Sequence, residues 1–439
     1  MRFFSRSAFV IAALATISAC SSDGDDEPTP PTTIDDGTGD GTDAGTDGSD
    51  EGEDTDPSDD DSGSPDSGDD EGDGGTGGGD TDAGNEDGGG KPFNPAEECD
   101  ALDDASLTST VTLDGDCYYV TGDVTAEGKV TIEPGVSVYL DDKATLYFKK
   151  GLIANGTDSA KIRFLAADAA KPFGTVKVEE VSSVQYVEFK GGGVDAEAMF
   201  DFNMYGTSDP VTASHLVFDD GHGTSCFRLS GPAYGTVNVE DLTFTGCSGT
   251  TYTLSVDPEM LKYLTAENDY GTSPKLLVPG FTVYEALTFK DMGVRYIIKG
   301  GLTVRGGDLT VEPGVEIQVD SMNFLELSPQ PSSANYWFRA VGTENKPIVF
   351  KAGPGGKWRG LKITSGKSQF EYVTIDGAKD TGSGDPAANF TVDGGGVGNI
   401  TNSTLSNSDG YGLFKKSNGT LNASNNTFIN NKLGDELRN

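Results

Sequence analysis

Residues 219–223, Asp-Asp-Gly-His-Gly, place two carboxylates beside an imidazole, and a guanidinium follows at Arg228. Paired carboxylates such as Asp219 and Asp220 can supply the acid and base of glycoside hydrolysis, with a separation set by where the water must fit. The competing interpretation is a polar corner, because Asp-Gly and His-Gly are common turn formers. The catalytic hypothesis therefore names Asp219, Asp220, His222 and Arg228.

A lyase is the second catalytic possibility. It needs carboxylates that bind calcium and a Lys or Arg base that removes the proton alpha to a uronate. The candidates are Asp201, Asp219, Asp241 and Lys190, although nothing in the sequence fixes their geometry. With only His215 and His222 in the whole chain, a histidine-based triad or a zinc hydrolase is close to excluded.

Aromatic side chains indicate a binding role instead. Tyr336 and Trp337 follow a Pro- and Ser-rich stretch that predicts a long loop, and such rings can stack on a sugar. The alternative interpretation is structural: Trp337 covers the loop, and Trp358 begins a strand and packs inward.

A repeated heptapeptide indicates the secondary structure that must position these residues. Residues 130–136 read Val-Thr-Ile-Glu-Pro-Gly-Val, and residues 309–315 read Leu-Thr-Val-Glu-Pro-Gly-Val. Apolar residues at every second position on both sides predict strands with one buried face. Pro-Gly between them predicts a sharp turn, because Pro presets φ and Gly accepts a positive φ. Each copy is therefore predicted to be strand, corner, strand.

The repeat extends beyond the heptapeptide and contains a shorter rhythm. We predict a first unit at 96–256, a connecting segment at 257–291 with a short helix near 261–267, and a second unit at 292–439. Within the units, Thr-Leu-Ser-Asn at 404–407 returns as Thr-Phe-Ile-Asn at 427–430. Strand repeats of this length predict a parallel solenoid whose equivalent positions form ladders, such as Leu405 over Phe428 and Asn407 over Asn430.

Four motifs in order carry a family resemblance: Gly-x-Leu-Thr-Val from 300, Glu-Pro-Gly-Val from 312, Gly-Thr-x-x-x-x-Ile-x-Phe from 342 and Tyr-Val-x-Ile from 372. They resemble bacterial right-handed parallel β-helix proteins of the pectin-lyase-like superfamily, in particular exported lipoproteins of unassigned activity. The resemblance covers residues 115–439. It implies an all-β fold, a single-stranded right-handed parallel β-helix solenoid, but no function, because the superfamily contains lyases, hydrolases, adhesins and passive stalks.

The 219–223 segment also resembles fragments of the polygalacturonase signature, which contains an Asp pair, a Gly-His-Gly and an Arg-x-Lys. It departs from that signature in three ways. The Asp pair and the Gly-His-Gly abut, no Asn-Thr-Asp element precedes them, and Arg-Leu-Ser begins at Arg228. These departures put the implied hydrolase activity in doubt.

The N-terminus predicts export. Residues 1–19 have two arginines, an apolar run and small residues, which is typical of a signal peptide. Ile-Ser-Ala-Cys at 17–20 resembles a bacterial lipobox, which implies cleavage before Cys20, lipidation of Cys20 and, with Ser21 following, sorting to the outer membrane.

Residues 20–95 are predicted to be a disordered tether. Between 21 and 90 there are 26 acidic residues and no Lys or Arg, so too little apolar surface is present to offset the entropy of ordering. About 70 flexible residues reach roughly 45–50 Å. Calcium binding by runs such as Asp-Thr-Asp at 80–82 is the alternative, but no run matches the EF-hand loop, so we expect no metal and no cofactor.

The acidic balance limits the partners. The formal net charge is −40, and without the tether and the two arginines of the signal peptide residues 91–439 carry −16. No basic run occurs anywhere, which argues against nucleic acid and against polyanionic glycans, because phosphate binding requires clustered Lys and Arg.

Four cysteines remain besides Cys20, and an exported chain can pair them. We predict the near pairs Cys99–Cys117 and Cys226–Cys247, with buried thiols as the alternative for the second pair. Cys226 and Cys247 are one coil apart, which would place them at neighbouring positions on adjacent coils. The spacing does not fit a zinc site.

Together these features predict a lipid-anchored outer-membrane β-helix that faces the cell surface or the periplasm. The expected role is structural, adhesive or glycan-binding, with the membrane, a glycan or an envelope protein as partner. The alternative is a polysaccharide-degrading enzyme, a glycoside hydrolase or a lyase, with its site near Asp219–Arg228.

Overall fold

The computed structural model describes residues 91–439, apart from residues 181, 206–209, 233–234, 321, 333–334, 357, 380–381 and 383. The predicted fold class is confirmed, because the described chain is a stack of parallel β-sheets with little helix. The predicted signal peptide, Cys20 and the tether up to residue 90 lie outside the described residues. The predicted end of the tether at residue 95 is wrong, because Asn94 caps a short α-helix that begins at the buried Pro95.

The first half contributes sixteen strands. They are β1 (Asp100–Leu102), β2 (Val111–Leu113), β3 (Cys117–Val120), β4 (Val124–Ala126), β5 (Val130–Ile132), β6 (Ser137–Leu140), β7 (Thr145–Phe148), β8 (Leu152–Asn155), β9 (Ile162–Ala166), β10 (Thr175–Val178), β11 (Ser183–Lys190), β12 (Phe200–Asn203), β13 (Val211–Asp219), β14 (Ser225–Ser230), β15 (Val237–Phe244) and β16 (Tyr252–Val256).

The second half contributes the remaining strands of the described chain. They are β17 (Lys275–Pro279), β18 (Thr282–Val283), β19 (Leu287–Phe289), β20 (Arg295–Lys299), β21 (Leu302–Val304), β22 (Leu309–Val311), β23 (Glu316–Val319), β24 (Leu325–Leu327), β25 (Trp337–Val341), β26 (Ile348–Ala352), β27 (Leu361–Thr364), β28 (Lys367–Glu371), β29 (Val373–Asp376), β30 (Ala388–Asp393), β31 (Val397–Thr401), β32 (Thr404–Ser406), β33 (Tyr411–Lys415), β34 (Thr420–Ser424), β35 (Thr427–Ile429) and β36 (Gly434–Arg438).

Helix is confined to short turns. The single α-helix of the described chain is Pro95–Glu98, and 3-10 helices occur at Asp104–Leu107, Cys247–Gly249 and Pro258–Tyr263. Within the described residues, no helix has the length and apolarity needed to cross a bilayer. The predicted short helix near 261–267 is wrong in its bounds, since Leu264 donates its N–H to the Leu261 carbonyl and the 3-10 helix ends there.

The corner formed by each heptapeptide is confirmed. β5 and β6 are separated by a turn in which the Val136 N–H donates to the Glu133 carbonyl at 3.4 Å, and Gly135 has φ 92°. In the second copy, the Val315 N–H donates to Glu312 at 3.3 Å. A positive φ at this position is the reason that glycine follows proline in both copies.

The sheets show how the coils stack. Thirteen strands from β4 to β35 form one sheet that passes through both predicted units, and a ten-stranded sheet lies within the first. The seven- and six-stranded sheets begin with β18 and β19, inside the predicted connecting segment, and run through the second unit. The regular stack therefore resumes at β17, earlier than the predicted bound at residue 292. Strands that are equivalent in sequence lie in different sheets: β6 is in the ten-stranded sheet, but β23 is in the thirteen-stranded sheet. The second unit therefore continues the stack with its strands shifted by one face.

The core of the first unit is an aromatic ladder. Phe164, Phe189, Phe218 and Phe244 occupy successive rungs, with ring centroids 5.2, 5.4 and 4.9 Å apart along the series. The second unit confirms the predicted rungs, because Leu405 pairs with Phe428. Asn430 Nδ2 also donates to Asn407 Oδ1 at 3.5 Å.

Both predicted cysteine pairs are at disulfide-bonding distance. Cys99 and Cys117 have Cα atoms 5.0 Å apart and lie opposite each other, one residue before the Asp100–Tyr118 rung. Cys226 and Cys247 have Cα atoms 6.0 Å apart.

The geometric reason given for the Cys226–Cys247 pair is wrong. Cys226 lies inside β14 and stacks at the level of Thr253, whereas Cys247 lies in the corner before β16. A side chain at Gly221 would approach Cys226 Sγ to 2.2 Å, which accounts for a glycine beside the bridge.

We expect Phe218→Ala to destabilise the chain by about 3–5 kcal/mol, because it leaves a cavity in the middle of the aromatic ladder. Urea unfolding followed by tryptophan fluorescence and circular dichroism measures the change. Tyr284→Ala is the matched control, since Tyr284 is 64% exposed and its loss should cost less than about 0.5 kcal/mol. Equal effects of the two substitutions would contradict a ladder-centred core.

Candidate functional site

The structure brings three of the four predicted catalytic residues into one corner. Asp219 ends β13, and Asp220 follows with φ 51° in the left-handed region. His222 Nε2 lies 3.5 Å from Asp220 Oδ1. Lys190 Nζ lies 2.8 Å from Asp219 Oδ2, and this hydrogen bond raises the lysine pKa. The contacts are those of a polar corner on the solenoid surface.

Arg228 lies in a different cluster. It projects from β14 and forms ion pairs with Glu197 and with Asp201, whose Oδ2 is 3.5 Å from Arg228 Nη1. The lyase candidates are divided as well, because Asp201 contacts Arg228, Asp219 contacts Lys190, and Asp241 contacts His215 at 3.2 Å. The sequence grouped residues that the fold distributes over separate surfaces.

Asp201 and Arg228 belong to a polar rung on the outer face of the thirteen-stranded sheet. Register places Tyr147 opposite Lys177, Lys177 opposite Asp201 and Asp201 opposite Arg228 on four successive strands. Lys177 Nζ also lies 4.6 Å from the centroid of the Tyr147 ring, a cation–π contact. Along the rung, an aromatic side chain is followed by a cation, a carboxylate and a second cation.

Glu179 completes this rung from the end of β10. Its carboxylate accepts hydrogen bonds from the Tyr147 hydroxyl and from Asn203 Nδ2, the latter at 3.4 Å, and Lys177 Nζ lies 3.1 Å away. Burial alone would raise the pKa of Glu179, but the hydrogen bonds from Tyr147 and Lys177 outweigh it and lower the pKa. Glu179 is thus held in its ionised form.

Asp201 has the opposite tendency. The residue is 8% exposed, and its Oδ1 has no hydrogen-bond partner among the described residues. Burial raises the pKa of Asp201, and the attraction of Arg228 and Lys177 offsets only part of that effect. Two neighbouring carboxyls whose environments push their pKa values apart are typical of an acid and base pair.

Asp201 and Arg228 were predicted for different sites, and Glu179, Tyr147 and Lys177 were not predicted for any. Lys177 and Glu179 lie on one strand end, but Tyr147, Asp201 and Arg228 are 22 to 51 positions away from them along the chain, so only the register of the coils brings the cluster together. The sequence did contain one signal: on these strands the apolar residues alternate with polar ones, and the polar positions are the ones that face outward.

The predicted binding pair lies at the start of β25. Tyr336 is half-buried against the core, so it does not offer a free ring. Trp337 is half-buried on the outer face of the six-stranded sheet, with the Arg339 guanidinium 5.0 Å and Lys367 Nζ 5.4 Å from its ring centroid. Trp358 packs inward as predicted, because it is fully buried and its indole N–H donates to the Asp376 carbonyl. The prediction that Trp358 begins a strand is wrong, since β27 begins three residues later, at Leu361.

Trp337 adjoins a column of hydrogen-bonding side chains on the same sheet face, which we call the amide column. Its members are Arg339, Gln369, Asn399 and Asn422, one from each of four successive strands. Asn422 Nδ2 donates to Asn399 Oδ1 at 2.9 Å, and Asn399 Nδ2 donates to the Ser368 carbonyl at 2.7 Å. These bonds align the asparagines while Gln369 and Asn422 remain exposed.

Metal binding finds no support in the part of the chain that the structure describes, where His, Cys, Asp and Glu form no group of three placed to hold an ion. The Asp-rich runs considered for calcium lie outside the described residues.

No protein-family model matches the chain, and no curated protein or solved structure matches it either. The likeness to pectin-lyase-like β-helix proteins therefore depends on the sequence motifs, while the structure independently shows the coarser feature, a solenoid of stacked parallel sheets.

We expect Asp201→Asn to raise stability at pH 7. A folded-state pKa above the unfolded value means that the wild type loses stability as pH rises from the ordinary Asp pKa through the raised one. The substitution removes that loss, so its advantage should grow from pH 3 to pH 7. Urea midpoints across this range measure it, with the exposed Asp158→Asn as the control of equal charge change. An advantage that is constant with pH would contradict the raised pKa.

Proposed function

We propose that this chain is an exported, lipid-anchored β-helix protein that binds neutral glycans on the outer face of its six-stranded sheet. The observation that carries the proposal is the amide column beside Trp337. The amides of Gln369, Asn399 and Asn422 can both donate and accept hydrogen bonds, which suits sugar hydroxyls, whereas Arg339 only donates. The aromatic ring at one end suits the apolar face of a pyranose.

Geometry favours an extended ligand. Parallel strands lie about 4.8 Å apart, so the amides of Gln369, Asn399 and Asn422 offer one polar group per coil. They continue the line from Arg339, whose guanidinium is paired with Asp308. A polysaccharide laid across the strands could contact successive coils with successive units. The excess of acidic residues in 91–439 disfavours polyanionic chains, because like charges repel.

The lipobox and the acidic tether support the anchoring part of the proposal. Lipidation at Cys20 would hold the protein in the outer membrane, and the charged segment that follows would keep the solenoid away from the bilayer. Such a position, at the cell surface or in the periplasm, suits an adhesive or scaffolding role toward envelope glycans.

For the glycan site, we expect Trp337→Ala and Gln369→Ala each to weaken binding at least tenfold. The first substitution removes the stacking ring, and the second removes an exposed amide. A glycan array with the purified full chain, followed by titration calorimetry on the best ligand, measures the effect. Tyr284→Ala, which removes an exposed aromatic ring elsewhere, should bind like the wild type. If none of the three substitutions changes the affinity, any glycan site lies on another surface.

A polysaccharide-degrading enzyme is the second candidate function, and one observation favours it. Asp201 and Glu179 are neighbouring carboxyls with pKa values shifted in opposite directions, next to Arg228 and Lys177. In this hypothesis Asp201 donates the proton to the leaving group, Glu179 acts as base or nucleophile, and Arg228 binds the substrate.

If the chain is an enzyme, Glu179→Gln and Asp201→Asn should each lower the release of reducing ends from neutral polysaccharides by at least a hundredfold. The double substitution Asp219→Ala with Asp220→Ala is the matched control, because the structure places those carboxylates in a separate corner. Loss of activity only in this control would show that the catalytic site is the corner at Asp219 and Asp220. Absence of any cleavage by the wild type would leave glycan binding as the function.

A further inference from the structure

A large cleft lies where the first unit meets the connecting segment. It encloses about 780 Å³, within the range of about 300–1,000 Å³ that is usual for ligand pockets. Its walls come from the corner after β15 and from the approach to β17. The cleft is on another part of the chain than the amide column, which belongs to the second unit.

Hydroxyl groups dominate the lining of this junction cleft. Seven Ser and Thr side chains face it: Thr245, Ser248, Thr250, Thr251, Thr253, Thr272 and Ser273. Three of these are used internally, since Thr245 and Thr250 donate to backbone carbonyls and Thr253 accepts from the Lys275 N–H. The hydroxyls of the other four form no hydrogen bond within the described residues, and all four residues are exposed.

The charge of the cleft and the residues at its base indicate which class of ligand it can bind. Asp269 and Lys275 provide one charge of each sign among the lining residues, so the cleft carries no net charge. Phe244 and Tyr270 line the base of the cleft, with ring centroids 6.0 Å apart. Both are almost fully buried, so only a small part of this apolar base faces the cleft. An apolar base with hydroxyls around it complements a neutral saccharide ring, which has polar edges and an apolar face.

The cleft is held rigid before any ligand binds. The Cys226–Cys247 bridge fixes one wall. On the opposite wall the Tyr270 hydroxyl donates to the Thr265 carbonyl at 2.8 Å, and Asn268 Nδ2 donates to that hydroxyl oxygen at 3.1 Å. Gly271 has φ 75°, and a Cβ there would lie 2.5 Å from the Phe244 carbonyl oxygen. Rigid walls lower the entropic cost of binding.

We infer that the junction cleft is a second saccharide site, which takes a short neutral oligosaccharide while the amide column takes an extended chain. The inference rests on the proposed glycan-binding function and adds to it a site and a ligand size. Two sites on one solenoid would let the protein hold two glycan segments at once, and so raise its effective affinity for a polymer.

The test is titration calorimetry of the full chain with cellotetraose, xylotetraose and mannotetraose. The variant Thr251→Val with Thr272→Val replaces two free hydroxyls by methyl groups of the same shape, and it should weaken tetrasaccharide binding at least tenfold. Ser248→Trp, which fills the cleft, should have the same effect. Thr131→Val, the same exchange on the outer face of β5, should bind like the wild type, and unchanged urea midpoints verify folding.

The outcomes separate the two proposals. Loss of tetrasaccharide binding in the cleft variants but not in Trp337→Ala supports the junction site. Loss in Trp337→Ala alone overturns the junction site and leaves the proposed function intact. Tetrasaccharides that bind nowhere, while long glycans still bind through the amide column, also overturn the junction site. A wild-type chain that binds neither tetrasaccharides nor any glycan on the array overturns both.

Discussion

The rest of the structure depends on the in-register pairing of each coil with the next. In every described pair of strands the partners run parallel, so residues one coil apart meet at the same level and form rungs. This constraint explains why the core is a stack of like residues, such as Phe189 under Phe218, and why asparagines align at corners. Alternate residues of the paired strands point into the stack and are buried, and the register fixes which of the remaining side chains can meet on the outer face.

The same constraint decides how far the sequence could be interpreted. Glu133-Pro134-Gly135 predicts its corner because the turn chemistry is local, and Leu405 over Phe428 is predicted because the spacing is one coil. The one-face shift between β6 and β23 could not be predicted, since both strands have the same alternating pattern and only their neighbours differ. The bounds of the 3-10 helix Pro258–Tyr263 were predicted wrongly for a related reason: the helix packs against β15 and β19, and its own sequence does not reveal these partners.

The candidate sites differ in the same way. Some residues are neighbours in the sequence, and others become neighbours only because one coil stacks on the next. Asp219, Asp220 and His222 are adjacent in sequence and remain adjacent in space, but Arg228, only six residues beyond His222, faces another sheet. In a solenoid of three faces, a short step along the chain crosses a corner, whereas a full coil returns to the same face. Glu179, Asp201 and Arg228 are about a coil apart and therefore converge. A search by coil length, guided by the rungs, would have found this cluster where a search for contiguous motifs did not.

The change of sheets along the stack gives the chain a feature that a uniform solenoid lacks. Equal coils produce flat outer faces, which suit long ligands but leave little concave space. At the junction the coil changes the sheets it uses, and the chain must insert residues 257–274 before β17 can resume pairing. That insertion leaves the last coil of the first unit partly uncovered, so the corner near Thr251 faces the approach near Thr272 across a gap. The bridge between Cys226 and Cys247 lies beside this gap and joins β14 to the corner after β15. The thirteen-stranded sheet stays paired through β14, β16, β17 and β20, so the shift between units opens the cleft on one side of the stack only.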